Sequence, residues 1–121
     1  MEKFPDLSKY QKIHLVGIGG VSMSSLAMML KEKGKIITGS DSTASANTEM
    51  LKTNGITVFT EHSAKNAENA ELIIYTAAIP DKNPELVYAK ENNIPTMERA
   101  VLLGSIMSSF KHSIAVAGTH G

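Results

Sequence analysis

The stretch HLVGIGGVSMSSLAMML, His14 to Leu30, decides how the rest of the chain is read. A largely apolar, β-branched run over Lys12–Ile18 stops at glycines, which predicts a first strand. From Ser22 onward, Met23, Leu26, Ala27 and Leu30 fall at helical spacing, and Gly34 is a natural helix stop. A strand that turns through glycines into a helix is how nucleotide-binding folds open. Gly17 allows a tight turn. Gly19 and Gly20 remove side chains, so that backbone N–H groups can approach a diphosphate. The start of the following helix offers unpaired N–H donors and a partial positive charge to the same anion. Ser22 stands where a dinucleotide fold usually carries its third glycine. A serine there is small, and its hydroxyl, with those of Ser24 and Ser25, is a candidate helix cap or phosphate contact.

Outward from this stretch, strands and helices alternate. KIITG, Lys35 to Gly39, reads as a second strand ending at Ser40-Asp41-Ser42. Thr48 to Asn54 makes a short helix closed by Gly55, and Ile56 to Phe59 a third strand. HSAKNAENA, from His62, is polar and suits one loose turn. ELIIYT, from Glu71, is a continuous apolar run of the kind buried on both faces of a parallel sheet. Asn83 is an N-cap with Pro84 at the first helical position, and that helix runs to about Asn92. IPTM, from Ile94, is a fifth strand. A helix is expected over Glu98–Phe110, with Val101, Leu102, Ile106 and Phe110 inward, and HSIAVAG, from His112, is a sixth strand. Short connections between alternating strands and helices predict an α/β fold: a Rossmann-like parallel sheet flanked by helices on both faces.

Asp41 lies 24 positions after Gly17, at the end of the second strand. An acid there accepts hydrogen bonds from ribose hydroxyls in dinucleotide-binding folds. Together these features point to a nucleotide or nucleotide-sugar without choosing NAD.

Composition narrows the classes. With 121 residues, a single domain is expected. Twelve basic residues balance twelve acidic ones, which gives no footprint for nucleic acid and no strong field for a membrane surface. No cysteine is present, so thiolate catalysis and cysteine-ligated metal are excluded. His14, His62, His112 and His120 never fall three to five residues apart, so no zinc-type spacing occurs and no metal site is expected. MEKFPDLSKYQK lacks the apolar core of a signal peptide, and no apolar stretch reaches the roughly 20 residues that span a bilayer, so a cytoplasmic location is expected. His14, inside a strand, reads as a packed residue, and Met23, Met28 and Met29 as adaptable packing.

The end, AVAGTHG, is a strand feeding the beginning of a phosphate loop whose Gly-Lys-Ser/Thr is missing, since Gly121 is the last residue. With this, IHLVGIGGVSMSSLA, GSD, TAAIPDKNPE, IPTMERA and IAVAGTHG together resemble the N-terminal domain of the ATP-dependent Mur ligases of peptidoglycan synthesis. The resemblance covers roughly residues 12–121. The histidine in GTHG favours the alanine-adding branch, with the ligase that recycles murein tripeptide close behind.

The resemblance implies that this domain binds the UDP part of UDP-N-acetylmuramic acid. A central domain would take ATP and magnesium, and L-alanine would attack an acyl phosphate of the muramoyl carboxylate. Residues 113–121 would lead into that central domain. By the same resemblance, Gly17, Gly19, Gly20, Val21, Ser22, Met23 and Ser24 hold the diphosphate, and Asp41 and Ser42 sit near the uridine. His62 matches a Gly-His-Ser segment of the family, although Glu61 stands where glycine is common. Thr76, Ala77, Ala78 and Ile79 line the crevice edge, and Gly118, Thr119, His120 and Gly121 open the ATP loop. The chain is then expected to bind part of one substrate and catalyse nothing alone. An NAD-binding domain of a dehydrogenase or cofactor-sensing regulator is the second reading, but an incipient second phosphate loop has no role there. A plain interaction module is the third.

Overall fold

The structure, a computed structural model, describes Leu7 and residues 9–99. It consists of β1 (Lys12–Val16), α1 (Val21–Glu32), β2 (Ile36–Ser40), α2 (Ala46–Thr53), β3 (Thr57–Phe59), a 3-10 turn (Ala64–Ala67), β4 (Leu72–Tyr75), α3 (Pro84–Glu91) and β5 (Thr96–Glu98). The five strands form one sheet in the order β3-β2-β1-β4-β5, with every neighbouring pair parallel. The α/β reading from the sequence therefore holds, helices on both faces included.

Alternation along β1 builds the two layers. Ile13 and Leu15 face α1 and α2, where they pack with Ile18, Met23, Leu26, Leu30, Ile37, Leu51, Leu72 and Ile74. Val16 faces the other way, toward the 3-10 turn and α3, with Ala67, Ile73 and Ala89. β4 supplies both layers, as its unbroken apolar run predicts. Each fully buried Leu or Ile contributes about 1.5–3 kcal/mol. The second face also carries His14, 0% exposed among these apolar neighbours.

Element boundaries differ from the sequence reading in instructive ways. β1 ends at Val16, and Ile18 leaves the strand to pack over β2. Its side chain occupies the space above Gly39, where an added Cβ would lie 2.6 Å from Ile18 Cβ. α2 begins two residues before Thr48, because Ser45 and Thr48 form a reciprocal capping box. β5 runs to Glu98, so Glu98 closes a strand and does not open a helix. The remainder of the expected helix to Phe110 and the expected sixth strand lie outside the described residues. Asn83 caps α3 as expected, accepting from the N–H groups of Glu85 and Leu86.

In this strand order the chain leaves β1 toward one side and β4 toward the other. The carboxyl ends of β1 and β4 thus border the crevice where open α/β sheets take their ligands.

Candidate functional site at the carboxyl edge of the sheet

Gly17 opens the turn after β1 with φ at +82°, a conformation that favours glycine. Its N–H and that of Ile18 both donate to the Ser40 carbonyl, at 2.8 and 3.0 Å. An added Cβ on Gly17 would touch Ile79 Cδ1 at 3.4 Å, so the loop after β4 closes directly over the glycine turn. Ile79 is thereby brought to the crevice. Thr76 accepts from its N–H in a turn, and Ala77 and Ala78 are exposed at the tip.

Gly19 behaves differently from the expectation that its N–H faces a ligand. That N–H donates to Asp41 Oδ2 at 2.9 Å, and an added Cβ would lie 2.7 Å from the same oxygen. Asp41 Oδ1 accepts from Thr43 N–H at 3.0 Å. Asp41 thus braces the loop after β1 against the end of β2, with a second lone pair left on each oxygen. Asn47 of α2 adds a bond to the Gly19 carbonyl at 2.9 Å. Ser42 is exposed beside Asp41.

Gly20 caps α1 in an extended conformation with no side-chain hydrogen bond, and its N–H turns back to the Gly17 carbonyl at 3.3 Å. The first bond into the helix is Ser24 N–H to Gly20 carbonyl, at 2.8 Å. The N–H groups of Val21, Ser22 and Met23 consequently form the first turn, which has no acceptor within the helix. Met23 and Ser24 are buried, so any contact they make with an anion is through the backbone. The Ser24 hydroxyl donates to the Val21 carbonyl and is not a cap. Ser22 is exposed and points away from the sheet layer, so the third glycine is not needed at this position. Close approach is demanded instead at Gly39, beneath Ile18.

His62 sits after β3 with about a quarter of its side chain exposed. Its Nδ1 lies 3.0 Å from Ser40 Oγ and 3.2 Å from Glu85 Oε2. Glu85 is the residue the sequence reading missed. It occupies the first turn of α3, a position where acids are commonly solvated, yet it is fully buried. Its Oε1 accepts from His14 Nε2 at 2.7 Å and from the Ser40 hydroxyl at 2.6 Å. Its Oε2 accepts from Ser63 N–H and from Asn66 Nδ2, each at 3.0 Å. Burial pushes the Glu85 carboxyl up, but the hydrogen bonds from His14, Ser40 and Asn66 and the charge interaction with His14 outweigh it and bring the carboxyl down to about 2. A clue was available in the sequence. A histidine in the middle of an apolar strand needs a buried partner.

His14, His62 and Glu85 are linked by hydrogen bonds. Among the described residues no group of three or more His, Cys, Asp or Glu is arranged to hold a metal ion. Among the same residues no helix is long and apolar enough to cross a membrane. Gly118–Gly121 lie outside the described residues.

Against known proteins, a family model described as "Mur ligase family, catalytic domain" matches residues 12–111. The chain is 51% identical over 116 residues to UDP-N-acetylmuramate–L-alanine ligase of Clostridium acetobutylicum, covering 96% of this chain and 25% of that protein. The ligase of the same name from Acetivibrio thermocellus is 47% identical over 116 residues, again 96% of this chain and 25% of that protein. Among solved structures, the UDP-N-acetylmuramate–alanine ligase MurC of Thermotoga maritima matches with a TM-score of 0.77 at 36% identity, over 81% of this chain and 23% of that one. A UDP-N-acetylmuramate:L-alanyl-gamma-D-glutamyl-meso-diaminopimelate ligase from Neisseria meningitides shares the fold, with a TM-score of 0.68 at 23% identity over 73% of this chain and 28% of that one. The chain spans about a quarter of the length of the curated relatives it matches. With the family model covering most of its length, the chain belongs to the Mur ligase family.

Proposed function

We propose that this chain is the part of an alanine-adding Mur ligase that binds the UDP moiety of UDP-N-acetylmuramic acid. The observation that carries this reading is the α1 start. Three first-turn N–H groups at Val21, Ser22 and Met23 lie at the crevice where the loops after β1 and β4 meet. Such a helix start suits a diphosphate through its N–H donors and dipole. Asp41, Ser42 and His62 follow at the ends of β2 and β3, on the side toward which the nucleoside would extend. Thr76–Ile79 form the opposite wall.

The alanine-adding branch is favoured over the recycling ligase by 47–51% identity to curated relatives of that name, and by 36% against 23% identity among the structures. In the whole ligase, ATP and magnesium would activate the muramoyl carboxylate for attack by L-alanine, in the cytoplasm. We assign that chemistry to groups beyond the described residues, including the loop that Gly118–Gly121 would begin. The described part acts by binding and orienting the nucleotide.

Thermal unfolding with separate additions of UDP-N-acetylmuramate, UDP and NADH tests this. A ligand that binds only the folded chain raises its apparent stability once in excess of its Kd. UDP-N-acetylmuramate and UDP are expected to stabilise, and NADH is not. Stabilisation by NADH alone would overturn the proposal. Formation of UDP-N-acetylmuramoyl-L-alanine by the purified 121-residue chain would overturn its non-catalytic role.

A further inference from the structure

The buried cluster around Glu85 fixes where the protons sit. The Ser40 hydroxyl donates its only proton to Glu85 Oε1 at 2.6 Å. Toward any other neighbour, Ser40 Oγ can therefore only accept. The Glu85 carboxylate, with donors from His14, Ser40, Ser63 and Asn66 already directed at it, also only accepts. His62 Nδ1 faces both of these acceptors, at 3.0 and 3.2 Å. A lone pair on Nδ1 would oppose two oxygens with no proton between them. Nδ1 must therefore carry the proton, and in the neutral ring the lone pair is then on Nε2. Among the described residues Nε2 has no hydrogen-bond partner, and the ring is partly exposed. Ser63 N–H is held by the same carboxylate, so the backbone next to the ring is fixed as well.

We infer that Glu85 is a positioning residue that locks His62 in its Nδ1–H form, so that Nε2 is presented as an acceptor to an N–H or O–H donor on the nucleoside part of the ligand. The inference rests on the UDP reading above. A diphosphate at the start of α1 directs its nucleoside across the ends of β2 and β3, toward Asp41 and His62. A uridine offers donors of two kinds on that path, the ribose hydroxyls and the N3–H of the base. A single acceptor nitrogen with a fixed tautomer suits either. It also disfavours a ligand that presents only acceptors there, because two facing lone pairs leave both desolvated groups unpaired.

The test is nitrogen NMR on protein labelled with 15N-histidine, with His62 assigned through His62→Gln. At mildly alkaline pH the wild type is expected to show one neutral His62 form, Nδ1 protonated and Nε2 bare. A dominant Nε2–H form, or a doubly protonated ring, would overturn the role of Glu85. Glu85→Gln is expected to release the ring into a mixture of tautomers, and retention of pure Nδ1–H would count against the inference. If Glu85→Gln does not fold, the wild-type spectrum still decides.

UDP is then expected to shift the Nε2 resonance toward its hydrogen-bonded range while Nδ1 stays protonated. His62→Ala should lower UDP affinity about tenfold, with partial recovery in His62→Gln, whose amide oxygen can accept. Repeating the titration with 2′-deoxy-UDP, 3′-deoxy-UDP and N3-methyl-UDP identifies the donor by which analogue loses the shift. A shift kept by all three would sink the ligand half of the inference. So would bound UDP with an unmoved Nε2. Absence of UDP binding in the wild type would remove that half together with the UDP reading, whereas a wrong tautomer removes only the part played by Glu85.

Discussion

At the scale of single residues, Gly39 and Glu85 matter most and look least informative in the sequence. Gly39 has no side chain because Ile18 fills that space from the turn after β1. Gly39→Ala forces a β-branched side chain to shift in a packed layer, and overpacking of this kind costs about 1–3 kcal/mol. The chain should unfold at correspondingly lower denaturant with an unchanged m-value. Glu85→Gln replaces an acceptor-only carboxylate by an amide that must place an NH2 group against donors. Breaking one partner out of a buried charged cluster costs on the order of 3–5 kcal/mol, and that loss should appear in the same experiment. Gly17, Gly19 and Asp41 stood out by their spacing, and the structure brings them to one turn, where the Gly19 N–H bonds Asp41 in place of facing outward. Glu85 did not stand out, because its partners come from β1, β2 and the 3-10 turn, up to 71 positions away. No local pattern records a contact of that kind.

The elements themselves were legible where hydrophobic period and punctuation agreed. The unbroken apolar run of β4 and the Asn83-Pro84 start of α3 are two such cases. Boundaries slipped where side chains outside the apolar pattern set the end. Ser45 starts α2 earlier than its apolar residues indicate, by closing a capping box with Thr48. Ser45→Ala should cost ~1 kcal/mol, read as a lower denaturant midpoint. The start of α1 has the opposite character, since Gly20 supplies no side-chain cap and leaves the first turn open. Ser22→Leu puts a bulky exposed side chain on that turn with little effect on the core. The chain should stay folded and bind UDP more weakly by titration. Unchanged UDP affinity in that variant would show that the diphosphate lies elsewhere.

For the whole molecule, the buried carboxylate ties acid stability to the fold. The Glu85 carboxyl is held at about 2 in the folded chain against an ordinary value of 4.5. A lowered folded value means that the stabilisation is complete above pH 4.5 and drains away as pH falls from 4.5 toward about 2. The amount is on the order of 3 kcal/mol. Glu71, whose carboxyl is lowered by the backbone N–H groups of Lys12 and Gln11, pulls in the same direction. Denaturant unfolding across this range should therefore show falling stability in the wild type and a flatter profile in Glu85→Gln. The two layers of the sheet meet most sharply in β2. There Gly39 must lie under Ile18 on one face, while Ser40 must reach Glu85 on the other and offer its carbonyl to Gly17 and Ile18. Sliding β2 by one position would exchange the two faces at once. A side chain would then meet Ile18 where Gly39 has none, and the carboxylate would lose the Ser40 hydroxyl. β2 therefore acts as a built-in proofreader of strand alignment. A one-residue slip would lose the Gly39–Ile18 fit and the Ser40–Glu85 bond together, so the crevice at the carboxyl ends of β1 and β4 forms with the correctly paired sheet.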